Sequence, residues 1–160
     1  MNFFSSQLWK SLFKSKPVPP RRPKARSSIL LQMQGEHYDL KTIYDLLNHR
    51  YFENKLKLEI TWFGSAQREA RRHRKLGLFC FKTKRIKIHR LLDHPLFPPY
   101  FISYVVYHEM LHSVCPPVKV KKGRYRIHHS DFKMREKEFA DYSVAKRWEE
   151  ENKKLFFLRK

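Results

Sequence analysis

The most restrictive stretch of this sequence lies between two proline pairs, Pro98-Pro99 and Pro116-Pro117. Proline is tolerated in the first turn of a helix and cannot continue one further along. A single helix is therefore expected from about Pro98-Pro99 to about Val114, stopped firmly by the second pair. Within it stands His108-Glu109-Met110-Leu111-His112. Histidines four positions apart share one helical face about a turn apart, so both imidazoles can bind one cation. Glu109, rotated by about 100° from His108, reaches the open side of that cation. A carboxylate there can accept the proton of a water whose pKa a metal has lowered. Phe101, Tyr104 and Val105 continue the same side, so the face is partly buried. Unpaired imidazoles are costly in such a place, and ligation satisfies them.

A catalytic zinc takes three protein ligands and keeps one position open. The candidates for the third are His128, His129, Cys115 and Asp131. A long charged helix is expected from about His128 to Phe156. On it His128 shares a face with Phe132, Arg135, Phe139 and Tyr142, the mostly apolar stripe that should meet the core. His129 shares its face with Lys133, Glu136 and Ala140, which reads as solvated. Helical phase thus favours His128, with His129 next. Cys115 lies seven residues after His108 but at a fraying helix end, where a buried free thiol is the ordinary fate. Tyr125, His129 and Tyr142 are the candidates for an oxyanion donor, none of them singled out.

The remainder of the chain divides in two. Residues 1–35 form a tail with seven Lys/Arg and no acid, including the proline-basic run Lys16 to Pro23. That run reads as an extended linker. Ahead of it Phe4, Leu8 and Leu12 recur at helical spacing beside Trp9 and Phe13, with Lys10 and Lys14 interleaved. This pattern fits a short interfacial helix making peripheral membrane contact, and equally an arm that docks on its own domain. Residues 36–160 are expected to form one domain. A helix is expected from Tyr38 to about Phe52, with Asn54 as its stop. Leu56 to Trp62 alternates as a half-buried strand, with Leu56, Leu58, Ile60 and Trp62 inward and Lys57, Glu59 and Thr61 outward. Further strands are expected at Gly77–Phe81 and Arg85–His89, and a polar, basic loop at Val118–Ile127. Helix, three strands, helix, loop, helix makes a small α+β domain.

Composition narrows the class. The 160 residues carry 35 Lys+Arg against 15 Asp+Glu, a formal net charge of +20. An anionic partner follows, nucleic acid or an anionic membrane face. Ten of those cations lie in Arg68 to Arg90, against the single acid Glu69. Lys119, Lys121, Lys122, Arg124 and Arg126 follow the H-E-x-x-H helix. Both segments should border the metal cleft, with Phe79, Phe81 and Tyr125 beside them as aromatics able to stack on bases, although Phe79 and Phe81 read better as strand core. With 13 Phe, 8 Tyr and 3 Trp there is material for a true core. Two cysteines, Cys80 and Cys115, exclude a disulfide-dense scaffold and a four-cysteine zinc ribbon. The longest mostly apolar stretch, Leu96 to Tyr107, falls well short of the ~20 residues that span a bilayer.

The sequence resembles the SprT-like (Spartan-like) zinc metallopeptidase family. Leu47 to Phe52 with Leu56, Ile60 and Trp62 looks like its opening helix and strand. Gly77, Ile86, Ile88 and Leu91 look like its next strands, and Tyr104 to His112 like its active-site helix. His128-His129-Ser130-Asp131-Phe132 is similar to its H-G-x-x-F/W element, although His129 stands where the family has Gly. The resemblance covers about residues 38–142. It implies a zincin-like fold with one Zn2+ per chain on His108, His112 and His128, and Glu109 as general base of a metalloendopeptidase. Its substrates would be proteins associated with or crosslinked to DNA. The alternative is a non-catalytic nucleic-acid-binding module with a structural zinc site, which has no need of Glu109. A cytoplasmic location is expected, with nucleoid association as one option within it, while the acid-free start also fits an organellar presequence.

Overall fold

The computed structural model describes residues 31–65 and 75–157, save for the side chains of Lys122 and Phe157. The Phe4–Leu12 pattern, the Lys16–Pro23 linker and the basic segment Arg68–Arg74 lie outside the described residues. Helix α1 runs Leu40–Phe52, as its apolar period requires. Asp39 caps it, accepting from the Lys41 amide at 2.9 Å, and Glu53 closes it in the left-handed region with φ 52°. Leu40, Tyr44, Leu47 and Asn48 are its buried face. Two of these hold the chain that follows: Tyr44 donates its hydroxyl to Leu56 O and accepts from Leu58 N, while Asn48 exchanges bonds with both ends of Leu56. This clasp delivers the chain into the sheet.

The sheet has strands β1 (Glu59–Phe63), β2 (Gly77–Cys80) and β3 (Arg85–His89), in the order β1-β3-β2. β1 runs parallel to β3 and β2 antiparallel to it. Opposed Glu59 and Arg85 are joined by an ion pair of 2.7 Å that marks the register. One expectation fails at β1, where Thr61 is buried like Ile60 and Trp62. Gln32 lies along that edge, and the segment continues to pair Gln34 with Asp39 before α1. The Thr61 hydroxyl accepts from Gln32 N and donates to Gln32 O, and Trp62 N donates to Gln32 O at 2.8 Å. The same segment is tied down by Asp93, whose carboxylate accepts from the backbone amides of Glu36, His37 and Tyr38.

Helix α2 runs Pro99–Val114, the length the proline brackets set. It crosses the centre of the core, with Phe101, Ile102, Val106 and Met110 fully buried. The expected basic loop folds into a hairpin, β4 (Val118–Lys119) and β5 (Tyr125–Arg126), around a 3-10 turn at Lys121–Gly123.

The expected single helix from His128 to Phe156 is three pieces: α3 (Ser130–Glu136), α4 (Tyr142–Glu151) and a 3-10 turn at Lys153–Phe157. The interruption has a physical cause. Phe139 inserts between α1 and α2, its ring 5.3 Å from that of Tyr107 and 5.9 Å from that of Tyr51. Tyr107 donates its hydroxyl to Arg135 O, and Tyr51 accepts from Ala140 N, so side chains satisfy the backbone freed at the break. α4 then packs Trp148 against Phe97, Phe101 and Phe156. No helix among the described residues is long and apolar enough to cross a membrane.

Candidate metal centre

α2 supplies His108 and His112 from successive turns, and the chain between β5 and α3 supplies His128. One ring nitrogen of each lies within 4.8 Å of the others, which is close enough to hold a metal ion. The ring centroids are 4.9–5.1 Å apart. Beneath them Phe132, fully buried, sets its ring 4.7–5.0 Å from all three imidazoles. His112 is buried, His108 half-buried and His128 exposed. His128 precedes α3 rather than lying on it, so helical phase does not set its direction. What brings His128 in is α3 beginning just after it and seating Phe132 against α2.

The other candidates stay apart from this cluster. His129 is half-buried and its Nε2 has no hydrogen-bond partner among the described residues. Asp131 is exposed and accepts from Ser130 Oγ. Cys115 is a buried free thiol at the end of α2. Of the oxyanion candidates, Tyr125 is exposed on the hairpin, and Tyr142 packs edge-on to Tyr104 at 6.0 Å.

Burial acts on two of the three imidazoles. It pushes His112 down to about 4, helped by its neighbours His108 and His128, and it lowers His128 as well. Neutral imidazoles are the ligand form. Glu109, on the adjacent face, is only 6% exposed, and burial raises its carboxyl to about 7. It lies against the first residue of the edge strand β2. A Cβ added at Gly77 would sit 2.4 Å from Glu109 Oε1, so a glycine is required for this approach. His108, Glu109 and His128 open with Lys75, Leu76 and Gly77 onto a cleft of about 460 Å³.

Glu136, read from the sequence as solvated, is the residue missed. Its side chain is 12% exposed, and Oε1 accepts from His108 Nδ1 at 2.7 Å and from the Tyr104 hydroxyl at 2.8 Å. Burial pushes its carboxyl up, but these hydrogen bonds outweigh burial and hold it below its ordinary range. The sequence did carry a signal: Glu136 follows the buried Phe132 by four residues and shares its face.

Compared with protein-family models, curated proteins and solved structures, the chain has no match.

Proposed function

We propose that this chain is a zinc metalloendopeptidase of SprT-like type with a zincin-like fold, in which His108, His112 and His128 hold Zn2+ and Glu109 is the general base. The observation that carries the reading is the meeting of three imidazoles, two of which open with one buried carboxylate onto a single cleft. The residues fit the ion: three imidazole nitrogen donors with space beside them are the donor set of a catalytic zinc, which keeps a position open. Bound zinc would supply Lewis acidity at that open position.

The chain's own residues do the rest. Glu109, held against Gly77, accepts a proton from the attacking water and returns it to the leaving amine. A carboxylate beside the open position is placed for both transfers. β2 is an edge strand, so its outer backbone groups are placed to pair with an extended peptide entering the cleft. A structural zinc site with no catalysis would leave the burial of Glu109 beside the histidines without a purpose.

The protein substrates in this reading are ones associated with nucleic acid. The specific support is the β4–β5 hairpin, which carries five cations and no acid between Val118 and Ile127 and leaves Val118, Tyr125 and Ile127 exposed. Such a surface suits phosphate contacts with an aromatic for stacking. The decisive experiment pairs Glu109→Gln with wild type. The variant should keep about one zinc per chain yet lose cleavage of a protein substrate, assayed with and without DNA. Equal cleavage by both proteins overturns the enzyme reading.

A further inference from the structure

We infer that Glu136 is the positioning residue of the metal centre: it fixes the tautomer and orientation of His108, and Tyr104 in turn fixes Glu136. The inference rests on the metal reading above and adds to it a residue outside the H-E-x-x-H segment.

A carboxylate oxygen can only accept. The bond from His108 Nδ1 to Glu136 Oε1, at 2.7 Å, therefore places the ring proton on Nδ1 and leaves the Nε2 lone pair for the cluster. The second bond to the same oxygen comes from Tyr104, one helical turn before His108. One oxygen thus bridges one turn of α2, and the carboxylate cannot swing without breaking both contacts. Glu136 is the last residue of α3, at the point where the long helix breaks. The break stops α3 with this side chain turned toward α2. Lys146 of α4 stands over the Tyr104 ring at 5.8 Å and pairs with Glu149, closing the outer side of the network. His112 has no equivalent support, since its Nδ1 has no partner among the described residues. The fixed imidazole is therefore that of His108.

Two measurements on the full chain test this. In metal-free protein, long-range 15N–1H spectra of the histidine rings should show His108 as the Nδ1–H tautomer. Glu136→Ala should release it toward Nε2–H, and Glu136→Gln, whose amide keeps an acceptor oxygen, should retain more of the Nδ1–H form. Zinc affinity, measured by competition with a chromogenic chelator, should fall about 10–100-fold in Glu136→Ala. Glu136→Gln should lie between that variant and wild type, and Tyr104→Phe should weaken binding less than Glu136→Ala. The Co2+ absorption spectrum of Glu136→Ala should shift with its altered ligand geometry. If Glu136→Ala fails to fold, the Glu136→Gln tautomer and affinity decide. An unchanged His108 tautomer with wild-type zinc affinity overturns the inference and leaves the metal reading intact. A wild-type chain that takes up no zinc, with His108 still in the Nδ1–H form, overturns the metal reading instead.

Discussion

The two sides of the histidine cluster are built differently. On one side His108 and His112 project from a helix whose core residues are fully buried, and His108 is held further by Glu136. On the other, His128 is exposed and follows a hairpin whose strands are two residues each. Helix geometry sets the spacing of the first pair before any tertiary contact forms. The third histidine has no such local constraint. Its place depends on α3 docking on α2 through Phe132, whose ring meets all three imidazoles. Local spacing thus supplies two donors, and one aromatic side chain joins them to the third.

The most damaging change should be the one that removes that join. Phe132→Ala deletes a fully buried aromatic, a class of substitution that costs about 3–5 kcal/mol. Urea unfolding should show the midpoint falling at constant slope. Because the ring supports both sides, zinc uptake should weaken together with stability. Full stability in Phe132→Ala would show that the exposed side positions His128 without help from the packed one.

The same contrast explains what was legible beforehand. The approximate span of α2 was readable because prolines punctuate both ends and apolar residues fill it. His108, Glu109 and His112 came with it, as their spacing is local. The third histidine of the cluster is reached from the sequence by a reason that does not hold, since the helix begins two residues after His128. Glu136 was missed because the buried stripe was drawn on through Phe139 and Tyr142, past a break that Phe139 makes by meeting Tyr107 and Tyr51, rather than through Phe132 and its i+4 neighbour. Thr61 was assigned to solvent because alternation cannot reveal a segment from 29 residues earlier covering that edge. In each case the missing information was a tertiary contact.

The packed side should also lose stability as pH rises, whereas the lowered His128 on the exposed side loses it as pH falls. In metal-free protein Glu109 titrates near 7 when folded, against an ordinary 4.5. Below 4.5 the group is protonated in both states and costs nothing. As pH rises toward 7, the unfolded chain gives up a proton that the folded chain keeps, so stability falls. Above 7 the deficit is complete, on the order of 3 kcal/mol. His112 acts oppositely: its lowered value makes stability fall as pH drops from 6.5 toward 4. Glu109→Gln in the presence of chelator should therefore match wild type near pH 4 and exceed it by about that amount at pH 8. An equal difference at the two pH values would show that Glu109 does not titrate in this way.

The smallest stability effect belongs to the hairpin. Replacing Lys119, Arg124 and Arg126 with alanine alters exposed side chains only, so the unfolding free energy should move by no more than about 0.5 kcal/mol for each. Binding should respond far more. If these cations meet phosphates, affinity for a short DNA duplex should fall linearly on a logarithmic salt axis, and each replacement should reduce that slope by about one. Zinc content should stay at the wild-type level throughout, because none of the three side chains belongs to the cluster. A slope unchanged by all three replacements would remove nucleic acid from this face. A zinc content that fell with them would instead make the hairpin a structural support for His128, and the two sides of the site less separate than their burial suggests.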